Sequence, residues 1–155
     1  MATEPDFDLD TAHQYFSKEC FNRAWELIDK AGRSPQEDEE IILACLASLW
    51  HWTQREDCSL TNLSIGYWQV SRVYALLNQA ENARRYAHLC LDISLEGGVL
   101  PFYLGYAYEA LARAEALAGD HAQVEKYLAE AQRIAATIPN PQDRDQLLED
   151  LEAIH

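Results

Sequence analysis

Residues 67–93, YWQVSRVYALLNQAENARRYAHLCLDI, and residues 108–134, YEALARAEALAGDHAQVEKYLAEAQRI, read as two copies of one helix hairpin. Tyr67 matches Tyr108, Arg72 matches Arg113, Asn78 matches Gly119 and Tyr86 matches Tyr127, each pair 41 positions apart. The apolar positions keep that offset: Ala83 with Val124, Ala87 with Leu128, Cys90 with Ala131, Ile93 with Ile134. A unit of helix, turn and return helix cannot bury its apolar stripe alone and does so by stacking on its neighbours. The repeat therefore predicts an all-α fold of stacked hairpins.

Upstream of the pair, a first helix is expected over 9–31. Ala12, Phe16, Cys20, Ala24, Leu27, Ile28 and Ala31 fall at the spacing of one buried face, and Gly32 ends it. Ser34, Pro35 and Glu37 form a strong start signal for a second helix, whose inner face is Ile42, Cys45, Leu46, Leu49 and Trp52. A polar stretch, 54–61, separates it from a third helix over 62–77. The fourth stops at Gly97-Gly98, the fifth runs from Pro101 to Gly119, and the sixth lies between Asp120 and Pro139. Asn140-Pro141 opens a seventh, with Leu147, Leu148, Leu151 and Ile154 on one side and acid on the other, which suits a helix closing the end of a stack. The organisation is thus a mobile acidic arm over 1–8 and one domain over 9–155. Within it lie hairpins 9–57, 62–96 and 101–138 and a capping helix, 141–154.

Composition bounds the function. The chain has 155 residues, 48% of them hydrophobic, which is enough for one core. Its formal net charge is −14, with 12 Lys and Arg against 26 Asp and Glu. Nucleic acid and anionic membrane surfaces need clustered cations, so neither is expected as a partner. The first basic residue is Lys18, which does not fit a signal peptide, and no apolar run is long enough to span a bilayer. Cys20, Cys45, Cys58 and Cys90 form no CxxC pair and read as reduced, buried thiols of a cytoplasmic protein.

Catalytic and metal-binding signatures are missing. There is no HExxH, no Gly-rich phosphate loop and no GxSxG, and Asp10 with His13 is the nearest approach to a Glu-x-x-His ligand pair. No cofactor, metal or catalytic group is expected. His51, between Trp50 and Trp52, is the one side chain an enzyme reading could use, with Glu109 as its carboxylate. A lone His beside Trp is more often a hydrogen-bonded structural residue.

The second repeat reads Tyr108-x2-Leu111-Ala112, then Ala118-Gly119-Asp120, then Val124-x3-Leu128 and Ala131. This resembles the TPR (tetratricopeptide) pattern, and the first repeat resembles it more loosely. The likeness covers residues 62–137. The repeat is longer than the TPR length of about 34 residues, and Glu115 stands where the pattern prefers Tyr. The stretches 50–52, 68–74 and 108–113 also resemble a group of small bacterial TPR-like proteins, a likeness that implies a fold and no activity.

What the TPR resemblance implies is a right-handed stack of antiparallel hairpins whose concave face is lined by the first helix of each. Carried over by position, that face holds Ile65, Trp68, Gln69 and Arg72, then Tyr106, Glu109, Ala110 and Arg113. The implied function is a non-enzymatic binding module for a protein or peptide, or for a small anionic ligand. Trp68, Tyr106, Arg72 and Arg113 would supply the grip, with Gln69 and Glu109 setting orientation. Simpler uses compete: Glu109 and Arg113 can pair one turn apart, Arg72 can stack on Trp68, and Arg72 can bridge to Glu109. A homodimer or scaffold component is the second reading, from aromatics left on exposed helix faces.

Overall fold

Caps and breakers cut the chain within about two residues of where the sequence places them. A computed structural model describes residues 3–155, and the described residues form seven α-helices and no strand. They are α1 (Leu9–Asp29), α2 (Pro35–Thr53), α3 (Leu60–Leu76), α4 (Ala80–Glu96), α5 (Pro101–Ala118), α6 (His121–Ala135) and α7 (Pro141–Glu152). Ser34 and Glu37 close a reciprocal capping box at α2, while Asp8, Asp120 and Asn140 cap α1, α6 and α7 with their side chains. Among the described residues no helix is long and apolar enough to cross a membrane. Of the expected arm, Met1 and Ala2 lie outside the described residues; residues 3–8 are exposed and end in the Asp8 cap.

The two repeats are equivalent in three dimensions. Asn78 and Gly119 both adopt the left-handed conformation, φ 62° and 81°, and turn the chain at the same point of each hairpin. Tyr67 packs on Tyr86 with ring centroids 6.2 Å apart, and Tyr108 on Tyr127 at 6.3 Å. α1 packs on α2, α3 on α4 and α5 on α6, and the hairpins join through α2 with α3 and α4 with α5. α3 also lies against α5, and α7 closes on α5 and α6. Gly105 lets α7 approach: a Cβ there would stand 2.5 Å from Cδ2 of the fully buried Leu147.

Three expectations are corrected. The buried face of α1 runs through Ser17, Ala24 and Leu27, and Phe16 is 46% exposed. Ser17 is drawn in because its hydroxyl accepts from Arg55 Nη1 at 3.0 Å and its carbonyl accepts from Ser48 Oγ at 2.7 Å. α3 begins at Leu60, two residues early, because Ser59 and Asn62 form a capping box of their own. All four cysteines are free, but only Cys45 and Cys90 are buried, with thiols pushed up to about 12 by desolvation; Cys20 and Cys58 are half-buried.

Candidate binding surface

The contact of α3 with α5 brings together the six residues that the repeat placed on one face, but it gives them different tasks. Glu109 is 1% exposed, and a carboxylate at that depth must be paired. Its Oε2 accepts from Trp68 Nε1 at 2.9 Å; its Oε1 accepts from Arg113 Nε at 2.8 Å and from Arg113 Nη2. Gln69 is equally buried, and its amide nitrogen donates to the Phe21 carbonyl at 3.1 Å, tying α3 to α1. Both side chains hold the stack together and leave nothing for a partner to grip.

Arg72 behaves differently from its repeat equivalent Arg113. It is half-buried, and among the described residues its guanidinium has no ion-pair or hydrogen-bond partner. Burial, followed by repulsion from Arg113, lowers its pKa, opposed by the charges of Glu109 and Asp150. It neither stacks on Trp68 nor bridges to Glu109, since Trp68 has taken the bridging position. Arg72 and Arg113 line one cavity of about 320 Å3 with Ala75, Ala116 and the last residues, Ile154 and His155.

Trp68 and Tyr106 face a second cavity, of about 250 Å3. The Tyr106 phenol donates to Asp150 Oδ2 of α7 at 2.5 Å, and burial first, then Asp150, pushes its pKa far up. Trp25 from α1 and Phe102 from α5 complete the aromatic walls. The single groove read from sequence is therefore two cavities, with the Trp68–Glu109–Arg113 bridge between their linings.

His51 lies away from both cavities. Its Nδ1 is 2.8 Å from Nδ1 of His13, in a cluster with Phe16 and with Trp50, which is 55% exposed. Burial and His13 lower the His51 pKa. Its ring partner is thus a second imidazole, whereas Glu109 is committed to Trp68 and Arg113. Trp52 is half-buried under the Arg55 guanidinium, 3.9 Å from the ring centroid. Among the described residues no group of three or more His, Cys, Asp or Glu side chains could hold a metal ion.

Sequence reasoning missed Trp25, Phe102 and Asp150. Trp25 lies off the apolar face assigned to α1, and a tryptophan out of register with its helix is itself a signal. Asp150 was indistinguishable from the solvated acids around it. The chain matches no protein-family model, no curated protein and no solved structure.

Proposed function

We propose that the chain is a non-enzymatic, TPR-like binding module that holds an anionic group of a protein or peptide partner at Arg72. The observation that carries this reading is the unpaired Arg72 guanidinium. In a chain with 26 acidic and 12 basic residues an ion pair is easily supplied, yet among the described residues no carboxylate pairs with this half-buried cation, and Glu109 and Asp150 act on it only through space. Desolvation and the nearby Arg113 both raise the energy of its charge, and a bound carboxylate would relieve both. The planar guanidinium suits a carboxylate held by two parallel hydrogen bonds. Soluble, cytoplasmic residence follows from this reading together with the acidic composition.

The test is selection from a random peptide library with free C-terminal carboxylates beside the same library amidated. Carboxylate-dependent enrichment by the wild type, lost in Arg72→Gln, supports the site. Equal enrichment of the two libraries, or an undiminished preference in Arg72→Gln, removes Arg72 from recognition.

One observation favours the homodimer as a second reading. Phe7, Leu9, Tyr15, Phe16 and Trp50 are all exposed at or near the α1–α2 hairpin. A monomeric mass by equilibrium sedimentation at high concentration would set it aside.

A further inference from the structure

The cavity beside Trp68 has a composition that selects one kind of guest. Trp25 stacks on Trp68 with centroids 5.7 Å apart, Tyr106 meets Trp68 edge-on at 5.6 Å, and Phe102 meets Tyr106 at 5.0 Å and 67°. These rings, differently inclined and drawn from α1, α3 and α5, wall the space of about 250 Å3. The charged group on its lining is Asp150, and no cationic side chain is among the lining residues. Asp150 makes no ion pair with any described residue; its one hydrogen-bond partner is the Tyr106 phenol.

Two hydrogen bonds strengthen the walls. Trp68 donates its indole N–H to Glu109, and Tyr106 donates its phenol O–H to Asp150. A ring whose polar hydrogen is held by a carboxylate carries more electron density on its faces, and the face is the part that attracts a cation. The net charge of the chain, −14, favours the approach of a cation in general.

We propose that this cavity binds a quaternary ammonium group. A primary ammonium is a compact, strongly hydrated charge, and a mostly aromatic lining does not replace its water shell. Asp150 gives one oxygen, Oδ2, to Tyr106 and keeps its negative charge, while the Ser64 hydroxyl is engaged with Ser94. A trimethylammonium group has no donors to satisfy, is weakly hydrated for its charge, and presents methyl groups that suit aromatic walls. Asp150 supplies the counter-charge at the edge of the cavity. Its lining shares no residue with the cavity at Arg72, although the Asp150 charge also acts on Arg72.

Choline, its neutral isostere 3,3-dimethylbutanol and a peptide bearing one trimethyl-lysine are titrated against the full chain, read by tryptophan fluorescence and by calorimetry. The expected result is that choline binds about ten-fold more tightly than the isostere. Asp150→Asn keeps an oxygen for Tyr106 and removes the charge, and Trp25→Leu removes one wall; each weakens choline by about five-fold. A trimethyl-lysine peptide tighter than choline assigns the cation to a protein partner, and the reverse assigns it to a free small molecule. Equal affinity for choline and the isostere, no saturable binding of either cation, or unchanged choline binding in both variants overturns the proposal. Asp150→Asn tests it even if Trp25→Leu does not fold.

Discussion

Trp68 and Glu109 occupy the same position in successive repeats, 41 residues apart, and are joined by a 2.9 Å hydrogen bond from the indole nitrogen to the carboxylate. The bond fixes α3 to α5, and the second carboxylate oxygen engages Arg113. Arg72 and Arg113, equivalent in sequence, are thereby made unequal: one is a structural partner and the other is free.

That inequality has a measurable consequence. Arg113→Ala leaves Glu109 buried without a counter-charge, a change that costs about 3–5 kcal/mol when a buried pair is broken. Arg72→Ala removes a half-buried cation that has no partner, so stability is unchanged or slightly raised. Urea unfolding of the two variants checks this, and equal losses would show that the arginines share one role.

The pair between Arg84 and Glu115 predicts an asymmetry of its own. Arg84 Nε and Nη2 donate to Glu115 Oε1 and Oε2 at 2.7 and 2.8 Å, linking α4 to α5. The Glu115 side chain is 6% exposed and that of Arg84 is 30% exposed. Losing Arg84 strands a buried carboxylate, whereas losing Glu115 frees an arginine that can turn to water and to Glu81. Arg84→Ala is therefore the more damaging single change, with a coupling of about 1–2 kcal/mol in the double-mutant cycle.

Gly105→Ala sets helix propensity against packing. Alanine in a helix interior gains about 1 kcal/mol over glycine. Its Cβ would meet Leu147 Cδ2 at 2.5 Å, and Leu147 has no solvent to move into. Overpacking of this kind costs about 1–3 kcal/mol, so the variant is expected to be less stable and to loosen α7. Thermal unfolding, with hydrogen exchange across 141–152, reads both effects.

The histidine pair makes stability fall on the acid side. The 2.8 Å contact of His13 with His51 requires one Nδ1 to be a lone-pair acceptor. The His51 pKa is lowered in the folded chain by burial and by His13, so the unfolded chain takes up a proton that the folded one refuses. This contribution is complete above the unfolded value of about 6.5 and is lost as pH falls below it. His51→Asn is expected to show a smaller drop in Tm between about pH 7.5 and about pH 5.5 than the wild type. An identical drop would place the acid sensitivity elsewhere.

Much of the fold was legible because its signals are local. The capping box at Ser34 and Glu37, the left-handed turns at Gly32, Asn78 and Gly119, and the prolines opening α2, α5 and α7 act within a few residues of themselves. The early start of α3 escaped because Asn62, read as the first residue of the helix, serves as the return arm of a capping box. The α1 face escaped because Ser17 is buried through contacts with Ser48 and Arg55 from elsewhere in the chain. Periodicity counts apolar residues and is blind to a serine that is buried by its hydrogen bonds.

By itself the sequence determined seven helices, their order, and the equivalence of residues 41 apart, because caps, breakers and apolar spacing are properties of neighbours along the chain. Which equivalent side chain bridges the repeats and which stays free was decided by the tertiary structure alone. Trp68 reaches Glu109, Glu109 holds Arg113, and Arg72 is left over. The aromatic cavity is tertiary in the same sense, since its walls come from α1, α3 and α5 and its carboxylate from α7. Pairing depends on distances across helices, which burial and packing set only once the whole stack has formed.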